Sequence, residues 1–156
     1  MADGNFEITT MNSRRVAAVR HTGPYNQIGP AFRRLAQIAG GAGLFQNPGT
    51  LMAGIYFDDP NVVPAEQLRS AAVLTIPDGA TMPEGLIEER LEGGSFVKIT
   101  HKGSYEQLPD AWKRAVDALK ASGKKRRASP AFELYLNDPT NTKEADLLTE
   151  IYIPVE

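Results

Sequence analysis

The chain has 156 residues, of which 42% are hydrophobic and 23% charged, enough for one good-sized core or two small fused halves. Its formal net charge of −2 gives no broad attraction to nucleic acid or to an anionic membrane, so neither is expected as a direct partner. Cysteine is absent, which excludes disulfides, thiolate metal sites and a cysteine nucleophile.

The start, MADGNFEITTM, has neither a basic region nor an apolar run, and no stretch reaches transmembrane length. The expected address is therefore the cytoplasm. In chain order, Phe6 to Met11 and Arg15 to Arg20 read as strands joined around Asn12-Ser13. A helix follows from about Gln27 to Ala39, with Ile28, Ala31, Phe32, Leu35 and Ile38 as its apolar stripe. Pro30 lies in its first turn, and Gly40, Gly41 and Gly43 end it. Strand-like segments then run through GIYFDDP (54–60) and AAVLTIP (71–77). PDGATMPEG (77–85) is linker-like. Beyond it, Leu86 to Leu91 and Phe96 to Thr100 read as strands across Glu92-Gly93-Gly94, which suits a tight hairpin. The second helix spans about Glu106 to Ala121, with Leu108, Ala111, Trp112, Ala115 and Leu119 on its apolar stripe. Ser104 and Gln107 have capping-box spacing, Pro109 sits in the first turn and Gly123 closes the helix.

This order is one module written twice. RHTGPYNQIGPAFRRL (20–35) lies over THKGSYEQLPDAWKRA (100–115) at an offset of 80, with identities that include His21/His101, Gly23/Gly103, Tyr25/Tyr105 and Gln27/Gln107. GIYFDDP lies over ELYLNDP (133–139), and AAVLTIP over LTEIYIP (148–154). The expected architecture is α+β: strand-strand-helix-strand-strand twice, in repeats 5–77 and 85–154, forming an antiparallel sheet with both helices on one face. Leu134, Leu136, Ile55, Phe57, Leu74, Ile76, Ile151 and Ile153 are assigned to the helix-side core, and the opposite face or the seam between repeats is left free to bind.

The stretch AFELYLNDP (131–139) places an acid, Glu133, among apolar and aromatic residues. Alternation puts Glu133 and Tyr135 on one side of this strand. If it pairs with Leu148 to Ile153, Glu150 and Tyr152 are expected on that same face. A buried acid is costly without a partner, so the face is either wet or meets a cationic or hydrogen-bonding group. The two copies differ at these positions: Glu133 matches Gly54, Glu150 matches Val73 and Tyr152 matches Thr75, while Tyr135 keeps Tyr56. Acids in one copy facing small side chains in the other would make a pocket with a charged wall; solvated strand residues with no ligand are the competing reading.

His21 and His101 recur symmetrically, lack acids at ligand spacing and read as structural, so no metal site is expected. The run Lys124-Lys125-Arg126-Arg127 reads as a solvated turn, and Tyr25 and Tyr105 at the helix entrances fit either helix packing or ligand stacking. No phosphate loop, nucleophile elbow or zinc-protease motif occurs, and no cofactor is expected. Acid–base work by Glu133 with Tyr135 remains as the enzymatic option, since a Glu among aromatics suits proton transfer.

The HTGPYNQIGPAF and HKGSYEQLPDAW segments, AFELYLNDP and the closing TEIYIPV together resemble the GyrI-like (SbmC-type) small-molecule-binding domain, which also serves as the effector-binding part of AraC-type and MerR-type regulators. The resemblance covers about residues 5 to 155. It implies a pseudo-twofold fold with a ligand cleft, a stand-alone form without a helix-turn-helix region, and a buried Glu, here Glu133, that pairs with lipophilic cations. With the residues singled out above, the expected ligand-binding set is Glu133, Tyr135, Glu150, Tyr152, Gly54, Tyr56, Trp112, Tyr105 and Tyr25. The implied roles are binding of aromatic, often cationic, small molecules, hydrolysis of cyclopropane-containing electrophiles through Glu133 and Tyr135, or modulation of DNA gyrase.

Overall fold

The computed structural model describes residues 6–156; residue 5 and the rest of the MADGN start lie outside them. Among the described residues the chain forms eight strands and two α-helices, the α+β composition expected from the repeat. In chain order they are β1 (Glu7–Met11), β2 (Arg14–Thr22), α1 (Gly29–Gly41), β3 (Met52–Tyr56), β4 (Arg69–Thr75), β5 (Ile87–Leu91), β6 (Gly94–Lys102), α2 (Leu108–Ser122), β7 (Ala131–Tyr135) and β8 (Leu148–Val155). A 3₁₀ turn precedes each helix, Tyr25–Gln27 before α1 and Tyr105–Gln107 before α2, so the helices start at Gly29 and Leu108, two residues later than the expected Gln27 and Glu106. Ser104 caps this turn, its hydroxyl accepting from the Glu106 amide at 3.1 Å, and Gly123 ends α2 in the left-handed region at φ 71°.

Two compact units result. The first joins the chain up to Asn12 to Gly93–Glu156, and the second is Ser13–Glu92. In the first unit the strand order is β1-β6-β8-β7, and in the second it is β3-β4-β2-β5; the pairings within each are antiparallel.

The expected pairing of β7 with β8 forms, but the strands joined at Asn12-Ser13 and those joined across Glu92-Gly93-Gly94 do not pair with each other. β1 pairs with β6, from Glu7 opposite Lys98 to Met11 opposite Gly94, and β5 pairs with β2, from Arg14 opposite Leu91 to Ala18 opposite Ile87. The short joints at Asn12-Ser13 and Glu92-Gly93 fall at the unit boundaries, so they carry the chain onward instead of folding it back. Gly94, at φ 128°, serves a close approach: a Cβ there would come within 2.6 Å of the Arg127 guanidinium. The linker-like 77–85 segment is also packed, with Ala80 and Met82 lying against the α1 core.

Each unit buries one sheet face under its helix. In the second unit Ala17, Ala72, Leu74 and Ile76 meet Ala31, Leu35 and Ala39 of α1; in the first Val97, Ile99, Ile151, Ile153 and Val155 meet Ala111, Ala115 and Ala118 of α2. Leu74, Ile76, Ile151 and Ile153 therefore occupy the helix side as expected. Leu134, Ile55, Leu136 and Phe57 do not. Leu134 lies opposite Glu150 and Ile55 opposite Ala71, which places both on the other face, while Leu136 is exposed. Phe57 lies under the Arg20 guanidinium, 4.6 Å from ring centroid to Cζ, and Arg20 is on that other face opposite Ala71. Nor is the other face of the first unit free. Phe96, Phe132 and Tyr152 form a buried aromatic cluster there, with Phe132 and Tyr152 stacked at 4.8 Å and Phe96 edge-on to both.

Candidate functional site

In β7 the alternation that sends Leu134 to one face sends Glu133 and Tyr135 to the α2 side, opposite Ile151 and Thr149 of β8. Glu133 is only 4% exposed there. A buried carboxylate is tolerated when hydrogen bonds replace its water. Trp112, on α2, donates its indole Nε1–H to Glu133 Oε2 at 2.5 Å, and Tyr135, two residues along the strand, donates its hydroxyl to Oε1 at 2.6 Å. Tyr105, in the turn that leads into α2, packs its ring 5.5 Å from Tyr135 at 51°. Burial pushes the Tyr105 hydroxyl above the usual phenol pKa, and the negative charges of Asp138 and Glu133 push it further in the same direction. It therefore keeps its proton at neutral pH. Glu133, Tyr135, Trp112 and Tyr105 thus form one cluster, a carboxylate inside three aromatic rings.

Glu150 and Tyr152 do not join it. The β7–β8 register sets Phe132 opposite Tyr152 and Leu134 opposite Glu150, so these two side chains take the face away from α2. The expected quartet of two acids and two tyrosines on one face is not built. The cause is a register of odd with odd: Leu136 N donates to Leu148 O, and Asn137 Oδ1 accepts from the Leu148 amide at 3.0 Å, which pins the returning strand. Glu150 instead meets Lys98 at 3.1 Å and accepts from the Tyr152 hydroxyl at 2.7 Å. Lys98 also lies 3.7 Å from Glu7. Burial would lower the Lys98 pKa, but Glu150 and Glu7 outweigh it and raise it.

The matching positions of the second unit have the same scaffold without the charge. Gly54 lies opposite Ala72 and Tyr56 opposite Ser70, both on the α1 side. Tyr25 packs on Tyr56 at 4.9 Å, and its hydroxyl is fixed between the carbonyls of Asp58 (2.7 Å) and Arg69 (3.2 Å) while accepting from the Asp58 amide at 3.0 Å. Tyr25 is thus a structural clamp. The histidines play the structural part their symmetry suggests. His21 Nε2 meets Pro24 O at 3.1 Å and His101 Nε2 meets Ser104 O at 2.9 Å, which requires the proton on Nε2. In the basic run, Arg126 and Arg127 bind backbone carbonyls of Ser129, Val155 and Ser95.

Sequence reasoning chose Trp112 for its ring and missed it as the donor to Glu133. A signal was present: the copies change together at two positions, Phe32 with Gly54 and Trp112 with Glu133. It also missed Lys98 as the partner of Glu150, which only the β6–β8 register brings near.

The family model described as "GyrI-like small molecule binding domain" matches residues 4–156. The chain belongs to the GyrI-like family. A relative from Klebsiella pneumoniae (strain 342) named "DNA gyrase inhibitor" is 30% identical over 156 residues, which is 97% of each chain. Among solved structures, the EcmrR C-terminal domain matches this GyrI-like chain with a TM-score of 0.75 at 19% identity, covering 97% of this chain and 96% of that one. SAV2435, solved bound to tetraphenylphosphonium, matches with a TM-score of 0.71 at 15% identity, covering 97% and 93%. At those identities the two structures show the GyrI-like fold.

Proposed function

We infer that this GyrI-like domain binds aromatic, lipophilic cations, with Glu133 as counter-charge and Trp112, Tyr135 and Tyr105 as the aromatic contacts. The observation that carries this reading is the 4% exposed Glu133 carboxylate held between an indole N–H and a phenol O–H. Both donors are neutral and orient the carboxylate without cancelling its charge. An aromatic cation entering such a place gains charge complementarity in a poorly solvated setting together with attraction to the ring faces. The SAV2435 complex with a lipophilic phosphonium supports the same ligand chemistry on a similar fold.

Calorimetric titration with tetraphenylphosphonium, and with triphenylphosphine oxide as a neutral analogue, tests the reading. The cation is expected to bind more tightly, and Glu133→Gln to weaken it by about 1–3 kcal/mol, roughly 5- to 150-fold. Equal affinity of wild type and variant for the cation would remove Glu133 as the charge partner. A second reading, modulation of DNA gyrase, is favoured by the name of the Klebsiella relative, which spans the same length. A supercoiling assay with purified gyrase checks it, and no change in supercoiling at saturating protein would reject it.

A further inference from the structure

Each unit is closed at one edge by a strand from the other repeat: β1 lies on β6, and β5 lies on β2. The two ladders share one register. Moving β1 forward and β6 back by the repeat offset of 80 turns Glu7 opposite Lys98 into Ile87 opposite Ala18. The same shift turns Met11 opposite Gly94 into Leu91 opposite Arg14, again a pair the other unit contains. The first strand of the module is thus a part that the two repeats trade.

The traded strands are anchored differently. β5 is held at both ends. Leu86 just before it and Leu91 at its close are buried, Glu88 pairs with Arg15 and Glu89 with Arg20, and the preceding segment lays Ala80 and Met82 on the α1 core. β1 is joined to the rest of the described chain at one end only, through Asn12-Ser13. None of its five side chains is buried, and Ile8 is 46% exposed. Beyond its backbone ladder it is held by Glu7, 3.7 Å from Lys98, and by the neighbouring Phe6 against the α2 core. Because β2 belongs to the other unit, β1 can leave without opening another ladder. What it covers cannot stay bare. Phe96 and Val97, opposite Thr9 and Ile8, are fully buried, and an open β6 edge offers backbone groups to an incoming strand.

We propose that β1 is exchanged between copies of this chain, the β1 of one copy closing the β6 edge of another. Closed and exchanged forms make the same contacts, so concentration sets the balance between them. Glu133, Trp112, Tyr135 and Tyr105 lie outside β1, so the aromatic cluster around the carboxylate stays within one copy in either form.

The chain has no cysteine, so introduced ones report the pairing without background. Thr10 and Ser95 are cross-strand partners, and neither is buried. Full-length Thr10→Cys and ¹⁵N-labelled Ser95→Cys are mixed under reducing conditions, equilibrated and then oxidised, and the mixed disulfide is identified by its mass. Its share is expected to rise about tenfold for a tenfold rise in protein concentration while the monomer predominates. Thr10→Cys mixed with Asp117→Cys, at an exposed position of α2, measures chance collision and should give at least roughly tenfold less. The double variant Thr10→Cys/Ser95→Cys, oxidised when dilute, should close within one chain, which checks that the ladder is intact. No mixed disulfide, or a yield no higher than that of the Asp117→Cys mixture, would overturn the proposal. So would failure of the double variant to close, since the ladder itself would then be absent.

Discussion

The two units are built to one plan and have diverged in chemistry. Both enter the helix through H-x-G-x-Y, and both stack that tyrosine on a strand tyrosine, Tyr25 on Tyr56 and Tyr105 on Tyr135. In the second unit the pair is closed by backbone: three contacts lock the Tyr25 hydroxyl to Asp58 and Arg69. In the first the strand tyrosine is turned to a carboxylate, and Phe32 is replaced by Trp112, whose indole N–H completes the carboxylate's shell. A charge has been introduced under a helix only together with its donors. The other face diverges as well, with Phe96 where the second unit has Val16 and a Lys98–Glu150 pair where it has Ala18 and Val73.

The largest expected difference lies in the aromatic cluster. Phe96→Ala removes a fully buried ring that touches both Phe132 and Tyr152, and should cost about 3–5 kcal/mol. Val16→Ala at the matching buried position should cost roughly 2 kcal/mol. Urea unfolding of both variants reads the two values, and similar costs would mean that the units carry equal shares of the core.

Trp112→Phe makes the first unit resemble the second at that position while leaving Glu133 in place. It should cost about 1–3 kcal/mol, because a buried acceptor loses a donor. Adding Glu133→Gly recreates the second unit's Phe32/Gly54 pair, and a double-mutant cycle should return a coupling of about 1–2 kcal/mol. A coupling near zero would show that the indole only packs.

The tyrosine clamp should be one-sided. Tyr25→Phe strands the hydrogen bonds that hold Asp58 and Arg69 and should cost about 1–2 kcal/mol. Tyr105→Phe should stay within about 0.5 kcal/mol, since its hydroxyl makes no hydrogen bond among the described residues.

The smallest effect concerns acid. Asp58 and Asn137 do the same work, each accepting from the first amides of the returning strand, Arg69 N at 2.8 Å and Leu148 N at 3.0 Å. Asp58 also pairs with the Arg69 guanidinium, which holds its carboxyl below the usual range. A depressed folded pKa stabilises above the unfolded value and the benefit is lost as pH falls through the folded one. Wild type should therefore lose stability more steeply than Asp58→Asn below about pH 4, as read by thermal melts across pH. Parallel curves would show that the ion pair adds nothing, as is common for exposed pairs.

The module order, both helices with their stops at Gly41 and Gly123, and the special standing of Glu133 follow from the sequence, because helix periodicity, glycine ends and an acid in an apolar strand are local signals. Trp112, Tyr105 and Tyr135 are legible as candidates for the same reason. Strand partnership is not local. Nothing near Asn12-Ser13 or Glu92-Gly93-Gly94 shows that β1 belongs to β6 and β5 to β2. Nor does the alternation within β7 and β8 say which of their faces coincide: a shift of one residue exchanges the faces of a whole strand. Only the pairing of Glu133 with Ile151, fixed from the Asn137 end, sent the carboxylate beneath α2 to Trp112 and turned Glu150 and Tyr152 away toward Lys98.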